Sequence, residues 1–141
     1  MSEPLYSLDI LRLATESAGF PRLENATATI ERRAPTCGSR ITVDVRLDSE
    51  GRISAYGHEV RACALGQAAA TLLARHAVGR PPAELAVARD DLARWLADAD
   101  APPPDWPGID QLSRARSYPA RHGAIRLAFE AIAEAVAKVT A

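Results

Sequence analysis

The chain's two cysteines, Cys37 and Cys63, stand at opposite ends of one unit spanning residues 35–70. That unit opens with Pro35-Thr36-Cys37-Gly38-Ser39 and closes with Arg61-Ala62-Cys63-Ala64-Leu65-Gly66 running into an alanine-rich stretch. Gly38 frees the backbone immediately after the first thiol. A helix is expected to begin just after the second, where the helix dipole favours a thiolate. Thiolates so placed bind soft metals or accept sulfur. In a reducing compartment two cysteines read as free thiols or ligands rather than as a structural disulfide.

Three histidines add nitrogen donors. His122 opens the last helical pattern, His58 falls on a strand-like segment, and His76 falls on an exposed helix face where it is solvated. No Gly-x-Ser-x-Gly elbow, phosphate-binding glycine loop, His-Glu-x-x-His pair or Cys-x-x-Cys occurs, so no enzyme constellation is expected. Asp90 and Asp91 are adjacent on a helical pattern and face different directions, which rules them out as an acid-base couple.

The elements that must position the thiols follow from periodicity. Leu5, Leu8, Ile10 or Leu11, Leu13 and Ala14 recur at near-helical spacing until Gly19 and Pro21. Residues 25–33 alternate weakly. Ile41, Val43, Val45 and Leu47 alternate cleanly with polar residues, as a half-buried strand does. Residues 48–51 form a turn, and residues 52–60 make a third strand with Ile53 and Ala55 on one face. The expected product is a small antiparallel sheet with one face covered by helices. Those helices are residues 64–78, ended by Gly79, a second opened by Pro81 and Pro82 and striped by Leu85, Ala88, Leu92, Trp95 and Leu96, and a last one over residues 121–139. The acidic, proline-rich residues 98–105 read as a loop.

At 141 residues and 48% hydrophobic, residues 1–141 suffice for one domain with a real core. The net charge of -1, with cationic residues scattered along the chain, removes the electrostatic case for a nucleic-acid or anionic-membrane partner. The first residues lack a basic region followed by an apolar run, and no stretch approaches the roughly 20 apolar residues that span a bilayer, so a cytoplasmic protein is expected. Arg114, Arg116, Arg121 and Arg126 cluster near the start of the last helix, as an ordinary solvated face or as a contact for an acidic partner.

This order of elements, with Pro-x-Cys-Gly leading a strand and a second cysteine opening a small-residue helix, resembles the iron-sulfur cluster assembly scaffold family: IscU, SufU and the N-terminal domain of NifU. The best-matching part covers residues 34–80, including Pro35-Thr36-Cys37-Gly38, Ile41-x-Val43-x-Val45, Ile53, Cys63-Ala64-Leu65 and Gly79-Arg80. A second match is Pro119-Ala120-Arg121 followed by Leu127-Ala128-Phe129-Glu130-Ala131-Ile132. The resemblance implies an α+β fold with a three-stranded antiparallel sheet covered on one face by helices, an N-terminal helix and a long C-terminal helix. It implies a non-enzymatic scaffold that holds iron or a transient 2Fe-2S cluster, receives sulfur from a cysteine desulfurase, and uses Cys37 and Cys63 both as ligands and as sulfur acceptors.

The chain departs from the family pattern at the site itself. Ser39 stands where the family has aspartate, and Ala124 stands where it has a third cysteine. The segment that recruits an Hsp70-type chaperone in some members is reduced to residues 117–121, which argues against that partner. Iron-sulfur and zinc sites generally want about four ligands. The remainder is open to His122, to His58, or to a homodimer in which two chains pool four thiolates. A docking module without a cluster and a zinc-binding domain are the competing readings.

Overall fold

The structure, a computed structural model, describes residues 5–35 and 38–140. Cys37 and Thr36 therefore lie outside the described residues. Seven main elements follow in order: α1 (Leu8–Glu16), β1 (Ala28–Arg33), β2 (Arg40–Leu47), β3 (Ile53–Arg61), α2 (Ala64–His76), α3 (Pro82–Ala97) and α4 (His122–Thr140). Short 3-10 turns occupy Ser17–Gly19, Ile109–Ser117 and Pro119–Arg121. The α+β architecture expected from the pattern is present, and no helix among the described residues is long and apolar enough to cross a membrane.

The three strands form an antiparallel meander in the order β1-β2-β3. Directly paired residues share a face, so Ile30, Val43 and His58 stand together, as do Ala28, Val45 and Tyr56. This is the covered face. α4 packs on β1 and β2, while α2 wedges between α1, α4 and β3. Ile41, Val43, Val45, Leu72, Leu73, Ile125, Phe129 and Ile132 are all essentially buried between these layers.

A register shift between Arg46 and Leu47 corrects the expected pattern of β3. An extra residue on one strand reverses the alternation beyond it. Ile53 is thereby turned into the core opposite Leu47, whereas the core residues further along are Tyr56 and His58, not Ala55. A second correction concerns α1. Ser7 caps it by accepting from the Ile10 amide at 3.3 Å, and its buried face is Ile10, Leu13 and Ala14, leaving Leu8 and Leu11 exposed.

The uncovered face of the sheet is partly closed by the segment before β1. Asp44 is fully buried there and accepts from the Arg22 guanidinium at 2.6 Å, the Leu23 amide at 2.9 Å and the Thr29 hydroxyl at 2.5 Å. The same segment crosses β3 so closely that a Cβ on Gly57 would lie 2.1 Å from the Pro21 carbonyl oxygen. Only glycine fits that crossing. On the far side, Trp106 anchors the proline-rich loop by donating its indole N–H to the Leu72 carbonyl at 2.8 Å and packing edge-on against Phe129. Arg116 bonds the carbonyls of Trp95 and Asp98, each at 2.8 Å, and so closes the C-terminal end of α3.

Burial pushes the Asp44 carboxyl up, but Arg22, Thr29 and Leu23 together outweigh it and hold the group below its ordinary value of 3.8. A depressed carboxylate contributes stability above its unfolded pKa and loses it as pH falls through the folded one. Asp44→Asn should cost about 2 kcal/mol at pH 7, as expected for lost hydrogen bonds to a charged group. In urea melts, the gap between native and variant should persist down to about pH 4 and narrow only below it.

Candidate thiol site

Cys63 is placed by the end of the sheet. β3 finishes at Arg61, and Cys63 takes the N-cap position of α2 in extended geometry, with φ −64° and ψ 170°. Its carbonyl accepts the Gln67 amide at 2.9 Å, but its side chain makes no capping bond. The thiol is free and half-buried, and the first turn of α2 contains no acidic residue. The expectation that a helix begins directly after Cys63 is met.

The loop holding Cys37 joins β1 to β2, whose nearest paired residues are Arg33 and Arg40. Its described flanks fit a tight turn. The Ala34 amide donates to the Ser39 carbonyl at 2.9 Å, and Gly38 sits at φ +72°, the left-handed region that glycine tolerates. Ser39 itself is 4% exposed. Because Arg40 also pairs with Arg61, this loop and Cys63 belong to the same end of the sheet.

The first turn of α4 reaches the same end. A Cβ on Gly123 would lie 3.8 Å from the Ala34 Cβ, and a Cβ on Gly66 would lie 3.4 Å from the Ala124 Cβ and 3.3 Å from its carbonyl oxygen. Ala124, the position at which the sequence departs from a third cysteine, is therefore buried against the first turn of α2, three residues beyond Cys63. Small residues let the two helix starts approach closely.

Neither histidine joins this cluster. His58 is 4% exposed, accepts from the Tyr56 hydroxyl at Nδ1 (2.7 Å), and donates from Nε2 to the Ser17 carbonyl (2.7 Å). The carbonyl can only accept, which assigns the proton to Nε2 and leaves no ring nitrogen for a metal. His122 donates from Nε2 to the carbonyls of Ala115 and Arg116, both at 3.0 Å. The Nε2 of His122 is thus held against the Ile109–Ser117 turn, whereas Ala124 faces the first turn of α2. These contacts occupy both ring nitrogens of His58, which corrects its expectation as a ligand, and the Nε2 of His122. Among the described residues no three His, Cys, Asp or Glu side chains are grouped to hold a metal ion. His76 is half-buried at the end of α2, rather than fully solvated.

The scatter of cationic residues along the chain does not survive folding. The cross-strand register lines up Arg33, Arg40 and Arg61 on one face at the thiol end, and Arg121 directly precedes α4. Of the four arginines near α4 singled out from sequence, Arg116 is committed to closing α3. Arg126 is half-buried, with its Nε lacking a hydrogen-bond partner among the described residues.

Burial holds His58 below its ordinary value of 6.5, against the opposing bond to Ser17. The unfolded chain therefore binds more protons than the native one once pH drops below about 6.5. Native stability should fall between pH 7 and pH 5, and that part of the slope should be missing in His58→Gln, as read by thermal melts across the range.

No family model matches the chain, but individual proteins do. It is 31% identical to the N-terminal part of a nitrogen-fixing NifU-like protein from Brucella abortus, covering 96% of this chain and 94% of that one with a TM-score of 0.87. It is 24% identical over 136 residues to the iron-sulfur cluster assembly scaffold protein IscU of Thermotoga maritima, spanning 96% and 95% of the two chains. A scaffold protein structure assigned to the SUF system of Fervidobacterium islandicum AW-1 shares the fold at 19% identity, with a TM-score of 0.80 and coverage of 94% and 96%. On this full-length likeness in sequence and fold, the chain belongs to the IscU/NifU-like scaffold family.

Proposed function

We propose that this protein serves iron-sulfur cluster assembly as a two-thiol scaffold, with Cys37 and Cys63 holding iron or a cluster as cargo and accepting sulfur. The observation that carries this reading is Cys63 itself. It is a free thiol on the uncapped start of α2, at the sheet end where Ala34, Ser39 and the start of α4 also lie. The named relatives act in cluster assembly. Thiolate sulfur is the donor that holds iron in iron-sulfur clusters.

With both ring nitrogens of His58 and the Nε2 of His122 engaged within the fold, four thiolates are best reached by two chains pooling Cys37 and Cys63. A cysteine desulfurase is the partner that would supply the sulfur. The 2Fe-2S form suits four thiolates from two chains, and zinc would suit the same donors. The docking-module reading is favoured by one fact, the replacement of a ligand position by buried Ala124.

Anaerobic reconstitution with iron and sulfide tests the choice. The native protein should develop visible charge-transfer absorption with about half a 2Fe-2S cluster per chain, the ratio a four-thiolate shared site demands. Cys37→Ser and Cys63→Ser should each lose it. A native protein that stays colourless and iron-free would leave the docking module standing. Ala124→Cys adds a third sulfur beside the first turn of α2, and should raise the iron retained per chain after gel filtration.

A further inference from the structure

Folding concentrates positive charge around the thiols. The described stretches that meet there, residues 38–43, 60–66 and 119–126, contain no aspartate or glutamate. The register places Arg33, Arg40 and Arg61 side by side across all three strands. Neighbouring strands are about 4.8 Å apart, so the row is about 10 Å long. Like charges directly opposite one another in a ladder are unfavourable. Yet among the described residues the side chains of Arg40, Arg61 and Arg121 make no ion pair or hydrogen bond, and Arg33 has only a 3.5 Å contact with Glu31. The fold gains nothing from this row that neutral residues would not supply.

The next row inward on the same face is Glu31, Thr42 and Glu59. Basic and acidic rows thus alternate. A nucleic-acid backbone laid over this face would meet the two carboxylates, whereas a folded protein surface can match the alternation with acidic side chains over the arginines. A small anion held by the arginines would leave the acidic row beside them unmatched. Exposed Arg33 and Arg61 also lie on an open face rather than in a cavity.

Resting on the scaffold reading above, we infer that Arg33, Arg40 and Arg61 form the docking rail for an acidic surface on the protein that exchanges sulfur with Cys63. Arg61 lies two residues before that thiol, so a carboxylate patch engaging the row brings the partner's reactive group to the start of α2. Charges of this kind act chiefly on the rate of encounter.

The test uses the full chain, with the cysteine desulfurase of the same organism as the probe, in surface plasmon resonance. The association rate should fall about tenfold or more as salt rises from about 50 to about 500 mM. Arg40→Gln/Arg61→Gln should lower it about tenfold at low salt with little change in dissociation, while keeping the native melting curve and iron uptake. The charge-matched control Arg12→Gln/Arg94→Gln, at exposed positions away from the row, should bind as the native chain does. Salt-independent association, or a row variant that docks normally while still loading iron, overturns the rail and leaves the scaffold reading intact. Tighter binding of a single-stranded oligonucleotide than of the desulfurase also overturns it. If the native chain does not bind the desulfurase at all, both the rail and that partner are rejected, and cargo binding is then judged by reconstitution alone.

Discussion

The antiparallel register of the sheet is the constraint on which the thiol end depends. Pairing Arg33 with Arg40, and Arg40 with Arg61, fixes where β1 must turn and where β3 must stop. The end of β1, the start of β2 and the helix opened by Cys63 are thereby brought to one edge of the sheet. A slip of one residue would turn Ile41, Val43 and Val45 outward, so burial of that face enforces the register. The same register sets the arginines in a row.

Close helix packing then completes the site. Gly66 and Ala124 let α2 and α4 touch at their first turns, and Gly123 lies beside Ala34. A scaffold with a third sulfur at Ala124 would hold it in this contact. Here the contact is apolar and buried. Two of the buried polar groups, Asp44 and His58, are satisfied within the protein, the first by Arg22, Leu23 and Thr29 and the second by Tyr56 and Ser17.

His58 shows how the sequence misleads. Its place on a strand near Cys63 suggested a ligand, but its two nitrogens are engaged by a residue two positions earlier and by a carbonyl 41 positions away. His122, two positions from Ala124 along the chain, has its Nε2 drawn to the carbonyls of Ala115 and Arg116. The bulge at Arg46 and Leu47 reversed the face of β3 that simple alternation implied. Asp44 drew no attention, since a lone aspartate in an alternating strand reads as solvent-facing until the segment through Arg22 closes over it.

By itself, the sequence determined the element order, the alternating β2 strand, the helix start at Cys63 and the family, because each is written in local periodicity, turn chemistry or motif spacing. Tertiary structure alone decided which histidines were spent on backbone carbonyls, that Asp44 is buried, and that scattered arginines form a row. Those outcomes depend on which distant residues come to lie beside one another, a matter of strand register and helix rotation that no local window of the chain contains.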